Sequence, residues 1–307
     1  MGRRAFLLRR LAGFVVSVWA VFTALFCYFQ VIPYTGSGTS VGGPESDVTV
    51  PVSQSDPLLT QYVDWVTWLL TLPDAVLDPI VRAAGFTLAY LLPAMALAVV
   101  FGTVLRVYSV ASDGTLLDRS LDATALVGLS IPAFLIAFLF GRFLLIDYLS
   151  LLGRLGVYDH TAGPFSTTNL TAALWPGLGM TAFLVAVQLH HAGEQLRTYA
   201  AEPFVKTARA KGLSDWRIGY HLFRNTAITL LSALLTEMYG MVLVGVFTVE
   251  FVARTPGLGE LIIEAVLGSQ LPLILGLSLL FVLVGVVATF LEDLAFAVTD
   301  PRVTFED

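Results

Sequence analysis

A chain of 307 residues that is 56% apolar and only 13% charged has too little charge to cover the surface of a soluble globule, and its mean hydropathy of +0.80 makes lipid its solvent. The apolar runs are continuous, which excludes the short apolar–polar alternation of a membrane β-barrel and leaves helices as the spanning structure. The net charge of −6 says little about partners, fifteen of the seventeen basic residues being Arg, and one cysteine, Cys27, excludes an internal disulfide.

In chain order the apolar runs occupy 11–32, 86–106, 121–146, 172–191, 226–249 and 272–298. Each is close to or above the ~20 residues that cross a ~30 Å hydrocarbon layer. The expectation is an all-α polytopic membrane protein with about six transmembrane helices, forming a single domain over 1–307. Arg3, Arg4, Arg9 and Arg10 precede the first run, as positive charge precedes a signal peptide. That run is roughly twice the length of a signal h-region, and Phe29, Gln30 and Val31 make no small-residue cleavage site, so an uncleaved first helix is expected.

A long outer loop, 33–85, follows. Its first part, 33–57, is rich in Gly, Ser, Thr and Pro with Glu45, Asp47 and Asp56, and reads as flexible chain. Its second part, 58–81, sets Tyr62, Trp65, Trp68, Leu69 and Leu72 near helical spacing, which fits a helix lying in the membrane interface or a small cap on the outer mouth. Thirteen of the seventeen basic residues then fall on one side, leaving Arg82, Arg142, Arg154 and Arg254 on the other. By the positive-inside bias both termini are cytoplasmic.

The inner loop 192–225, between the fourth and fifth runs, carries the most information. Pro203 suits a first helical turn, with Val205 to Lys211 continuing the helix. Gly212 suits a C′ position of positive φ, and Ser214 an N-cap ahead of Asp215 in a second helix. The result is a basic helix–turn–helix projecting from the membrane. Taken alone it reads equally as a charged loop that only sets topology; tethered at the bilayer and short, it is no nucleic-acid reader.

Thr207-Ala-Arg-Ala-Lys-Gly212-Leu-Ser214, followed by His221-Leu-Phe-Arg224-Asn225, resembles the cytoplasmic EAA loop of binding-protein-dependent ABC importers, in the form found in dipeptide, oligopeptide and nickel permeases. Glu250 with Pro256-Gly257-Leu258-Gly259 resembles that family's outer element, and Asp300-Pro301-Arg302 its terminal D-P-R. Arg9-Arg10-Leu11 and Gln61-Tyr62-Val63-Asp64-Trp65 are weaker matches. The chain departs from the pattern at Lys206-Thr207-Ala208, which replaces Glu-Ala-Ala, and at Thr229, which replaces a proline. It also lacks the Gly-Asp-Pro and Gly-Asp-Leu-Gly elements of the outer side, which leaves the substrate open among peptides, nickel chelates and sugars.

The resemblance implies a type I ABC importer permease in a prokaryotic cell membrane, coupled to separate ATPases through Lys206, Thr207, Ala208, Arg209, Ala210, Lys211, Gly212, Leu213 and Ser214. It implies a second permease subunit, two ABC ATPase subunits and an extracytoplasmic solute-binding protein. No Walker A sequence occurs, so ATP hydrolysis is expected on another polypeptide, with no catalytic residue and no cofactor here.

Among polar residues at membrane depth, Glu237 is read as pathway-lining or as tied to a neighbouring helix, with Gln188 a lesser pathway candidate. His190 and His191 lack the second histidine of a zinc motif and read as interfacial, with no metal site expected. Pro132, Pro176 and Pro272 read as helix entries or kinks. Two competing functions fare worse. An ion-driven secondary transporter predicts several membrane carboxylates and an inverted repeat; an intramembrane hydrolase needs a nucleophile, an Asp pair or a metal constellation.

Overall fold

The computed structural model describes residues 3–31, 56–112, 114–140, 158–159, 161–163, 165–268 and 270–299; the side chains of 3–8, 29–31, 140, 225, 228–239, 241 and 292–299 lie outside that description. Among the described residues there are ten α-helices: α1 (Arg3–Val31), α2 (Leu58–Leu70), α3 (Asp74–Ala111), α4 (Leu116–Ser130), α5 (Ala133–Phe140), α6 (Thr167–Ala200), α7 (Pro203–Ala210), α8 (Asp215–Ala253), α9 (Leu258–Leu267) and α10 (Leu271–Thr299). Four are long and apolar enough to cross a membrane, and six spans result if each of two bent helix pairs counts as one. Their outward faces remain apolar, with Leu92, Val100, Phe101 and Val104 of α3 all more than half exposed. Lipid, not water, suits such a surface.

Several helices outrun the apolar runs that mark them. At 1.5 Å per residue the 38 residues of α3 extend about 57 Å, nearly twice the hydrocarbon thickness. It begins at Asp74, twelve residues before the second apolar run. The third run, 121–146, is not one straight helix. Pro132 disfavours helical backbone at the residue before it, Ile131 is extended (φ −104°, ψ 122°), and α4 and α5 meet at 98°.

The chain forms two compact units, divided near Gly85–Phe86 and Thr255–Pro256. In the first, α2 buries Trp65, Trp68 and Leu69 against Phe22 and Phe26 of α1, Val76 and Ile80 of α3, and the Leu271–Leu279 stretch of α10. Tyr62 stacks edge-on against Phe26 at 5.2 Å, and its hydroxyl lies 2.8 Å from Thr23 Oγ1. The aromatic stretch that follows residue 57 is thus a helix with a fully buried tryptophan, while Leu58, Leu59, Val63 and Leu70 stay exposed on its other side.

In the second unit α6 is the central member, packed by α4, α5 and α8. Phe86, Tyr90, Leu91, Ala94 and Ala98 of α3 meet Ala172, Ala173, Met180, Leu184 and Val187 of α6. Small residues let these helices approach, the usual device in a lipid solvent that gives apolar side chains no reason to associate. A Cβ on Gly179 would lie 2.7 Å from both Cα and Cβ of Ala137, and one on Gly128 would collide with the Ala186 methyl. Trp175 Nε1 donates to Ala137 O at 2.7 Å, closing the same α5–α6 contact with a hydrogen bond.

Candidate coupling site

The elbow between α6 and α8 is built by local chemistry. Glu202 is the N-cap of α7 and Pro203 takes its first position, where a missing N–H costs nothing. Lys211 is the C-cap, and Gly212 follows with φ +73°. Gly212 N donates to Arg209 O at 2.9 Å and Leu213 N to Ala208 O at 3.3 Å, the two bonds of a Schellman closure. Ala208 and Leu213, brought together by this closure, both pack at the edge of the same apolar cluster. Ser214 then occupies the N-cap of α8 with extended backbone, but its side chain makes no capping bond; Asp215 sits in the first turn.

One buried residue fastens the elbow. Val205, 1% exposed, is enclosed by Val110 and Ala111 of α3, Ala192 and Leu196 of α6, and Ile218 and Leu222 of α8. Arg209 Nη2 donates to Ala111 O at 3.3 Å, and Ser112 Oγ to Asp215 Oδ2 at 3.3 Å. Lys206, Thr207, Ala210, Lys211, Gly212 and Ser214 are exposed, with Thr207 Oγ1 turned back onto Pro203 O. The nine elbow residues picked out by sequence are therefore brought together as one turn, its apolar side anchored and its basic side free to meet another surface.

The other sequence candidates lie elsewhere. Gln188 is 3% exposed, and its Nε2 donates to Thr103 Oγ1 at 2.8 Å, so it ties α6 to α3. The side chain of Glu237, like those of Glu292 and Asp293, lies outside the described residues, as do Arg142, Arg154 and Asp300-Pro301-Arg302. His190 Nε2 is 3.5 Å from Glu194 Oε1, one turn along α6. Glu250 is fully buried, its Oε1 accepting from Thr87 Oγ1 and Tyr90 Oη, both at 2.7 Å. Four residues later α8 ends on Arg254 in left-handed backbone (φ 52°), and Gly257 becomes the N-cap of α9.

Sequence reasoning missed a cluster beside the elbow: Arg106, Asp118, Asp122 and Arg197, drawn together from α3, α4 and α6. Their only sequence-level signal is two Asp spaced i, i+4 on α4, with an arginine on each flanking segment.

Residues 98–305 match the family described as the binding-protein-dependent transport system inner membrane component, a span that contains the whole elbow. The chain belongs to this family. It is similar over nearly its full length to the dipeptide transport system permease protein DppB of Bacillus subtilis (strain 168), at 25% identity over 311 residues and 97% of each chain. It is also similar to the glutathione transport system permease protein GsiC of Shigella flexneri serotype 5b (strain 8401), at 25% identity over 316 residues, 98% of this chain and 99% of the other. The permease is thus an all-α, multi-pass component of the plasma membrane with the type I ABC importer permease fold, a transport protein and not an enzyme.

Proposed function

We propose that this permease forms half of the translocation pathway of an ATP-driven importer of di- or oligopeptides, and that α7 with its Gly212 turn is the joint to a separate ATPase. The observation that carries the reading is the elbow: Val205 anchored among three helices, with Lys206, Thr207 and Lys211 presented outward on a rigid turn. Ala208 and Ala210 permit close approach, while the lysines suit acidic side chains or helix C-termini of a partner. The peptide class rests on the dipeptide and glutathione permeases to which the chain is similar.

In this reading 1–307 is one transmembrane domain with both termini cytoplasmic, 33–85 on the outer side and 192–225 as the inner coupling loop. A second permease subunit completes the pathway as a heterodimer, two ABC ATPases bind below, and an extracytoplasmic solute-binding protein delivers cargo above. ATP binding closes the ATPases, the elbows move, and the helices alternate between inward-open and outward-open states, the ligand favouring one of two conformations. Glu237 and Gln188 are proposed to face the pathway, Gln188 becoming reachable when α3 and α6 part.

The test is retention and uptake. Lys206→Glu combined with Lys211→Glu leaves insertion unchanged but abolishes co-purification of the ATPase and ATP-dependent uptake of labelled dialanine in vesicles holding all the subunits. Unaltered retention would refute the joint. Uptake by the purified chain alone, without nucleotide, would refute the importer reading.

A further inference from the structure

The charge cluster lies one helical turn from the elbow's anchorage. Arg106, 2% exposed, donates from Nε to Leu189 O and from Nη2 to Asp122 Oδ1, each at 2.6 Å, and its Nη1 lies 3.6 Å from Asp118 Oδ1. Arg197 Nη2 donates to Asp122 Oδ2 at 2.6 Å and to Asp118 Oδ1 at 3.2 Å. Ser109 Oγ donates to Asp118 Oδ1 at 2.7 Å. Gly193 leaves the room: a Cβ there would stand 2.6 Å from Arg106 Nε.

Two cations and two anions balance, yet such a cluster gains little stability over apolar packing of the same volume, because desolvating the charges offsets their attraction. What it supplies is geometry, since removing one member leaves another charge uncompensated. The helices it joins differ in their neighbours. α3 and α6 enclose Val205 of the elbow through Val110, Ala111, Ala192 and Leu196. α4 instead leads through the 98° bend into α5 and borders an open, apolar cavity of about 510 Å³, lined by Thr124, Val127 and Gly128 of α4, Ile136 of α5 and Ala186 of α6.

We propose that Arg106 and Arg197, acting through Asp118 and Asp122, are positioning residues that pass movement of the elbow to α4 and so to this cavity. A shift of α7 carries the inner ends of α3 and α6 with it. The two arginines then drag the carboxylates of α4, a connection that soft apolar contact would transmit less faithfully. The proposal rests on the reading of the elbow as the ATPase joint.

The test uses the whole complex in lipid nanodiscs. The one cysteine permits a clean label: Cys27→Ser with Leu126→Cys, an α4 position 69% exposed, carrying a bimane fluorophore. Mg-ATP shifts the bimane emission in this parent. Asp122→Asn and Arg197→Gln each reduce the amplitude about tenfold while ATP hydrolysis stays within about twofold, and the double variant is no worse than either single one. Arg106→Lys, keeping the charge without the Nε donor, falls between. Persistence of the shift in both single variants overturns the relay, as does a loss that only tracks the amount of assembled complex, which marks a structural brace. A parent complex that holds no ATPase overturns the joint itself; a parent that shifts alongside variants that shift equally overturns the relay alone.

Discussion

Gly212 separates the conformational demand of the elbow from its steric surroundings. Its φ is +73°, and no heavy atom lies within 4 Å of a Cβ built on it. A Cβ there meets no neighbour, and the cost of replacement is that of left-handed backbone, about 1–2 kcal/mol for a residue bearing a Cβ. Asn adopts this region far more readily than other residues. The closed turn should lose about tenfold in stability for Gly212→Val, somewhat less for Gly212→Ala, and little for Gly212→Asn. Hydrogen exchange reads this directly, because the amides of Gly212 and Leu213 are the donors to Arg209 O and Ala208 O. Their protection in the purified chain, and ATP-driven uptake in the complex, should fall in the order Asn, Ala, Val, with insertion unchanged. If Asn proves as harmful as Val, contact chemistry and not backbone geometry governs the position, and the argument fails.

Two further outcomes follow from packing. Gly179→Val drives a branched side chain into the backbone of α5 at Ala137, where the nearest atoms lie 2.7 Å from Cβ, and should destabilise the second unit by about 3 kcal/mol, read as a lower Tm in detergent. Tyr90→Phe removes a hydroxyl donor to the buried Glu250 Oε1 and should cost about 1–3 kcal/mol by the same assay, whereas Tyr108→Phe, at an exposed ring, should be neutral.

How much of this was legible in the sequence depended on how local the cause was. The elbow was read almost residue for residue, because Pro203 and Gly212 act on their own backbone and need no distant partner; Ser214 holds the N-cap position expected of it, without the capping bond. The spans were found by hydropathy, but their lengths were not. A hydropathy window detects only the stretch that lipid requires, whereas α3 from Asp74 and α8 from Asp215 run on beyond it, through exposed polar positions such as Asp78, Arg82, Arg217 and Arg224. Pro132 was seen as an entry or kink, yet the apolar run continuing past it concealed a bend of 98°. The Arg106–Asp122 pair could not be read at all: its members lie sixteen positions apart on different helices, and in the sequence Arg106 counts only as one more positive charge at the end of an apolar run. Gln188 could be singled out because it is polar at membrane depth, but its partner Thr103, on another helix, is supplied only by the fold.

The helix that leaves the elbow has a mechanical consequence. From Asp215 to Ala253 α8 contains no proline and its backbone is helical throughout, giving a rod about 58 Å long. Thr229 stands where the resembling permeases carry a proline, so the shaft lacks that cause of a kink. Pivoted at its inner end, it would carry its far tip about 5 Å for each 5° of tilt. With the elbow as the proposed ATPase joint, a stroke small enough to leave the packing around Val205 intact would be magnified at the far end of this helix.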